Sequence, residues 1–221
     1  DHYLYRTLTQ NFWLIDHYPG YIFNFEGAVR YQWAKEYYPT EYERLKNYIK
    51  AGRWNISGSS WDSTDSNIPS PESFFRNLLY GQEFFKKEFG KKSNDIFLPD
   101  CFGFGYTLPT IAAHSGIIGF STQKLQHRKL PFYGDRKLPF MFGLWEGIDG
   151  SRIMAVPHAQ DYVSRFDGQE LSSNGKLVDL AKNGLNNTVY HYYGAGDRGG
   201  SPTIASVRSV ETGMKGEGPV Q

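Results

Sequence analysis

The sequence predicts an α/β fold built on a mainly parallel sheet, open or closed into a barrel, and two observations carry that expectation. Strand-like and helix-like stretches alternate from end to end, as they do when helices cross over between parallel strands. The apolar run Ile96-Phe97-Leu98 then ends abruptly at Pro99-Asp100, with a turn rich in aromatics and glycine behind it. Proline is tolerable only at the end of such a strand, because it cannot donate to a sheet ladder. Asp100 therefore stands where a strand hands over to a loop. In strand-helix barrels, that is where catalytic residues gather. The alternative is that Asp100 caps the helix that follows or starts a turn.

Taken in order, Leu4 to Tyr18 has helical spacing, and Tyr21 to Phe25 is a strand candidate. Ala28 to Tyr37 is helical until Pro39 stops it, and Glu41 to Ala51 is a second helix with Gly52 as its C-terminal cap. Arg53 to Gly58 reads as a strand. Ser70-Pro71-Glu72-Ser73 opens a long helix to Phe89, with Ser70 as N-cap, Pro71 at the first helical position and Gly90 behind. After the Ile96 strand come a helix over Leu108 to His114 and a strand over Ile117 to Ser121. Leu130 to Leu138, with two prolines around it, reads as loop. Phe140 to Trp145 and Arg152 to Val156 flank an Asp149-Gly150 turn, a strong hairpin signal. Leu177 to Leu185 is helical, Thr188 to Tyr193 a strand, and Pro202 to Val210 a last helix. The whole is expected to be one domain over residues 1–221, with both ends reading as cuts from something longer.

Composition narrows the function classes. Charged residues make up 21% and hydrophobic ones 39%, ordinary for a globular protein. The net charge of +1 carries no electrostatic footprint for nucleic acid or an acidic membrane surface. No stretch approaches the roughly 20 apolar residues of a membrane helix. The single cysteine, Cys101, excludes an intrachain disulfide and a Cys-based zinc cluster. Aromatics reach 17%, which suits either a sugar-binding cleft or a thick aromatic core.

Three constellations carry chemistry. The loop Gly58 to Asn67 is dense in hydrogen-bonding side chains around Trp61, the mixture a polyhydroxylated ligand requires; a solvated turn is the alternative for Asp62 and Ser63. The glycine-rich turn Gly194 to Gly200 lacks the ending of a P-loop and the spacing of a dinucleotide fingerprint. Its glycines instead suit close substrate approach, with Asp197 at the tip. Asp100 and Asp197 thus offer two strand-end carboxylates, and a retaining glycosidase needs a pair about 5 Å apart. The histidines, His2, His17, His114, His127, His158 and His191, form no local metal motif. Only His158, after the Arg152–Val156 strand, is placed to face a cleft.

Leu98-Pro99-Asp100-Cys101-Phe102-Gly103 resembles the nucleophile motif of the family 38 glycoside hydrolases, the α-mannosidases. The resemblance is collinear over residues 20 to 203. It runs through Gly58-Ser59-Ser60-Trp61, Asp65-Ser66-Asn67-Ile68-Pro69-Ser70, Leu79-Tyr80-Gly81-Gln82, Phe120-Ser121-Thr122-Gln123-Lys124, Trp145-Glu146-Gly147-Ile148-Asp149-Gly150-Ser151 and Gly196-Asp197-Arg198-Gly199-Gly200. It implies a seven-stranded (β/α) barrel that hydrolyses α-mannosidic bonds with retention, acting on an α-mannoside-containing glycan. Asp100 would be nucleophile and ligand of one divalent metal, usually zinc. Asp197 aligns with the acid/base, and Trp61, Lys124 and His158 would contact substrate. The charge of Lys124 would steady Asp100 as an anion. Where the pattern often holds Glu, this chain has Ser63. The family's His-x-Asp and its downstream His-Asp segment are absent from the sequence. Asp100 alone is thus one ligand where catalytic zinc usually keeps three, and the chain by itself is expected to be inactive. Two other readings are a non-catalytic carbohydrate-binding barrel and a metal-dependent polysaccharide deacetylase. Oligomeric state is left open.

Overall fold

The computed structural model describes residues 2–125, 128–130, 134–136, 138, 140–166, 170–182 and 184–215. The chain divides into two compact units. The first comprises Asp1–Asn24, Tyr31–Asn55 and Gln160–Gln221, and the second Phe25–Arg30 and Ile56–Ala159.

The first unit is mainly helical. It holds α1 (His2–His17), most of α2 (Ala28–Tyr37), α3 (Pro39–Lys50), α6 (Gly175–Lys182) and α7 (Ile204–Met214). Pro39 stops α2 and at the same time starts α3, since the missing N–H costs nothing in a first turn. Gly52 follows the end of α3 with φ of 72°. Its N–H donates to Ile49 O and that of Arg53 to Tyr48 O, which together close the helix in a Schellman motif. Leu8, Phe12, Tyr31, Leu45 and Trp54 are almost fully buried. Trp54 Nε1 donates to the Tyr31 hydroxyl at 3.0 Å, so its polar edge is satisfied within the core.

The second unit carries the main sheet and two helices. The sheet runs in the order β3 (Asp95–Phe97), β4 (Gly119–Ser121), β8 (Arg152–Val156), β7 (Gly143–Glu146). β3, β4 and β8 are parallel, with Ile96 opposite Phe120 and Phe120 opposite Ala155. β7 pairs antiparallel with β8 across the Asp149-Gly150 turn, as the sequence predicts. Two-stranded pairs form between β1 (Phe23–Glu26) and β2 (Trp54–Ser57), and between β5 (Arg128–Leu130) and β6 (Gly134–Arg136). Against the main sheet pack α4 (Pro71–Phe89) and α5 (Leu108–His114), through Phe74, Leu78, Leu108 and Ile111 meeting Ile96, Phe120 and Ile153.

The ends of α4 follow from its sequence. Ser70 Oγ accepts from Ser73 N, and Gly90 closes the helix at φ 67°. Gly81 lets the helix cross the Ser59-Ser60 backbone closely, because a Cβ there would lie 2.3 Å from Ser60 C.

Three expectations need correction. Among the described residues there is no seven-stranded barrel, only the four-stranded mixed sheet and two pairs. Alternation of strands and helices specifies crossovers, but it does not specify closure. Here β8 gives its outer edge to its own hairpin partner, β7. The junction from β2 to β3 is made by side chains: Ser57 Oγ and Gly58 N both donate to the Asp95 carboxylate. The second correction concerns Thr188–Tyr193, which forms no strand. The third is the loop expected over Leu130–Leu138. It contains β6 and the end of β5, while residues 131–133 and 137 lie outside the described residues.

Candidate active site

The loops after the parallel strands are tied to one another, and this brings three of the singled-out residues to one edge of the sheet. Leu98 N donates to Ser121 O, so β3 continues its pairing one residue beyond Phe97. Pro99 O then accepts from Gln123 N at 3.4 Å and from Thr122 Oγ1 at 3.4 Å. Asp100 and Lys124 follow these two anchored segments and meet: Lys124 Nζ lies 2.5 Å from Asp100 Oδ1, and the Asp100 side chain remains 54% exposed. The same ammonium stands 5.0 Å from the centre of the Phe102 ring, a cation–π contact. His158, two residues past β8, bonds through Nδ1 to Gln123 O at 2.7 Å. A carbonyl only accepts, so Nδ1 carries the proton and Nε2 is the acceptor of the neutral ring. Asp100, Lys124 and His158 thus share the C-terminal edge of β3, β4 and β8.

Trp61 lies against α4. Its ring packs edge-on against Phe84 of α4, and it lines a groove of about 430 Å³ with Tyr80, Glu83, Phe84 and Lys87. Its backbone N–H donates to Asn77 O. The polar loop around it holds a carboxylate that sequence reasoning passed over. Glu26, the last residue of β1, accepts from Ser63 Oγ at 3.0 and 3.1 Å and pairs with Arg30 Nη1 at 3.2 Å. Arg30 bridges on to Asp62 at 3.0 Å. Burial pushes the Glu26 carboxyl up, Arg30 and Ser63 oppose the shift, and the charges of Asp62 and Asp95 add to it. The signal was available: Phe23-Asn24-Phe25-Glu26 is another strand that ends on a carboxylate.

Cys101 is not a nucleophile in waiting. Burial first, then the charges of Asp65, Asp100 and Glu26, push its thiol up to about 11. Near neutrality it stays protonated and donates to Thr64 O at 2.9 Å.

Asp197 belongs to the first unit. It has φ of 58°, in the left-handed region, and accepts from the Tyr162 hydroxyl at 2.7 Å. The glycine-rich turn beyond it is moored to α1. Arg6 Nη2 donates to Arg198 O and Gly199 O, Gly200 N donates to Thr7 Oγ1, and Asn11 Nδ2 donates to Gly200 O. Gly196 and Gly199 are small for a packing reason. A Cβ on the first would overlap the Tyr162 ring, and one on the second would lie 2.6 Å from Tyr3 O.

Among the described residues, no three His, Cys, Asp or Glu side chains are grouped to hold a metal ion. Asp100, the ligand expected from sequence, has an oxygen engaged by the Lys124 ammonium. The residues described do not make up the three-ligand set of a catalytic zinc. Nor is any described helix long and apolar enough to cross a membrane.

The family model for the glycosyl hydrolases family 38 N-terminal domain matches residues 1–219. Alpha-mannosidase G of Dictyostelium discoideum is 42% identical over 93% of this chain, which spans 18% of that relative. Alpha-mannosidase 2C1 of Homo sapiens is 35% identical over 86% of this chain, again 18% of the relative. Among solved structures, an alpha-mannosidase from Enterococcus faecalis V583 shares the fold with a TM-score of 0.76. That match covers 97% of this chain and 24% of the other, at 19% identity. The chain is thus a member of glycosyl hydrolase family 38, matching its N-terminal domain and spanning about a fifth of the length of its relatives.

Proposed function

We propose that this chain carries the nucleophile of a retaining α-mannosidase, and that the nucleophile is Asp100. The observation that supports it most is the placement of Asp100: a half-exposed carboxylate just past β3, ion-paired to Lys124 from the neighbouring strand end. The relatives that bear the name alpha-mannosidase give the substrate class, an α-mannoside in a glycan.

In this reading an Asp100 oxygen attacks the anomeric carbon, an ester bond to the sugar forms, and the glycosidic C–O bond breaks. The departing oxygen takes a proton from a general acid. Water then cleaves the ester, and the acid, now a base, recovers its proton from that water. Lys124 holds Asp100 by its ion pair. Its second contact, on the Phe102 ring, limits where the ammonium can go. His158 offers Nε2 as a hydrogen-bond acceptor for a sugar hydroxyl, and Trp61 offers an aromatic face for a pyranose.

A divalent metal, zinc by family resemblance, would take Asp100 as one ligand. The described residues do not complete its ligand set. The test is hydrolysis of an aryl α-mannoside by the full-length protein, with and without chelator. Turnover that survives both chelation and Asp100→Asn would overturn the assignment.

A further inference from the structure

Two loops of the second unit interlock beside Asp100. Ser66 Oγ donates to Gly103 O at 2.8 Å, and Cys101 Sγ donates to Thr64 O at 2.9 Å. The loop that supplies these partners is itself stiffened, because Asp65 Oδ1 accepts from Asn67 N at 2.7 Å and from Ile68 N at 3.1 Å. Gly103 and Gly105 leave room for the Asn67 side chain between the two loops. A Cβ at 103 would lie 2.6 Å from Asn67 Nδ2, and one at 105 would lie 3.3 Å from Asn67 Oδ1. Gly103 does not occupy the left-handed region, so glycine serves there for room rather than for backbone conformation.

Asp100 is therefore held on both flanks. Pro99 is tied to the loop after β4 through Gln123 N and Thr122 Oγ1. Cys101 and Gly103 are tied to residues 64–67. The side chain between them is half exposed, and its Lys124 partner is a long, flexible one. An ion pair of that kind does not fix the direction of a carboxylate within the few tenths of an ångström that an attack requires. The backbone on either side can do so.

We infer that the 64–67 loop is the positioning element for Asp100, with Ser66 as its principal positioning residue. This rests on the reading of Asp100 as the nucleophile. Ser66 reaches the turn two residues beyond Cys101, and its hydroxyl bonds to Gly103 O rather than to Asp100. Its loss acts through geometry, lowering the rate of the chemical step and leaving substrate affinity in place.

The experiment compares Ser66→Ala and Ser66→Thr in the full-length protein, at a temperature where both give the wild-type circular dichroism spectrum. With an aryl α-mannoside, Ser66→Ala should lower kcat by about tenfold, with KM within about twofold, the size of effect small misplacements produce. Ser66→Thr retains the hydroxyl and should recover most of the rate. A Ser66→Ala enzyme with wild-type kcat, or one altered in KM alone, overturns the inference. A second arm does not depend on activity: peptide-resolved labelling of Cys101 by a thiol reagent. Release of the clamp should raise the Cys101 labelling rate several-fold in Ser66→Ala and leave it unchanged in Ser66→Thr, because the thiol loses its fixed acceptor. An equal rate in all three proteins overturns the clamp. If the wild type turns over no mannoside, the catalytic reading fails, and the labelling arm alone decides whether the clamp exists.

Discussion

The two carboxylates singled out by sequence are presented in different ways. Asp100 follows a strand, and its surroundings come from neighbouring strands of one sheet: Lys124 after β4, with His158 after β8. Asp197 follows a stretch with no strand. It is held by Tyr162, and the turn behind it is moored to α1 by Arg6, Thr7 and Asn11, nearly two hundred residues earlier in the chain. A strand end presents a side chain because the sheet fixes the backbone up to that point. A moored loop depends on side chains remote in sequence, and each of those is a point of failure.

The largest expected effect separates the two directly. Asp100→Asn should reduce kcat on an aryl α-mannoside by at least about a thousandfold, the scale for removal of a nucleophile. Asp197→Asn should cost roughly a hundredfold or more on substrates with a poor leaving group, and far less on a dinitrophenyl mannoside, whose departing oxygen needs no proton. A uniform loss across leaving groups would remove Asp197 from the acid/base role and leave it as a loop residue.

The mooring is testable through Asn11, which is fully buried. It donates to Thr7 O and Gly200 O and accepts from the Tyr21 hydroxyl at 2.6 Å. Asn11→Ala strands these partners inside the first unit and should destabilise the protein by about 2–4 kcal/mol in a denaturant titration. A change below about 0.5 kcal/mol, the range of an ordinary surface substitution, would show that the loop does not depend on this anchor.

How much of this was legible in the sequence follows the same division. The helix ends were legible because they are local: Ser70-Pro71 and Gly90 bound α4 as expected, and α2 and α5 have the predicted limits. The hairpin was legible from Asp149-Gly150. The barrel was not, because closure depends on which edges pair across the whole chain. A carboxylate such as Asp95 can bridge β2 and β3 without any local mark of doing so. The segment Thr188–Tyr193 has the right residue types for a strand but, among the described residues, forms none. At the site, Asp100 and His158 were found because each follows a strand, and Lys124 through the family resemblance of its segment. Trp61 was expected to face a ligand because it sits among polar residues; its ring meets Phe84 edge-on and lines the groove beside α4. Glu26 was missed although it obeys the rule that found Asp100.

The smallest expected effect concerns the hairpin turn that borders the same sheet. Asp149 accepts from Ser151 and Thr110 and pairs with His114 Nε2 at 2.8 Å. The His114 contact first, then the Ser151 and Thr110 bonds, hold its carboxyl well below the ordinary 3.8. A depressed carboxyl contributes stability that is present above its unfolded value and lost as pH falls through the folded one. The contribution should therefore fade below about pH 4. Asp149→Asn should flatten the acid limb of the stability profile and leave the profile near pH 7 almost unchanged in shape. An acid limb identical to wild type would contradict the role given to this turn.

The covalent step tests the role of Asp100 most directly. A fluorinated mannosyl fluoride, which forms a glycosyl-enzyme faster than water removes it, should leave one mannosyl ester on the full-length protein. Peptide mapping by mass spectrometry should place that ester on Asp100. An ester on any other carboxylate, or turnover with inversion and no adduct, would contradict the reading of Asp100 as the nucleophile.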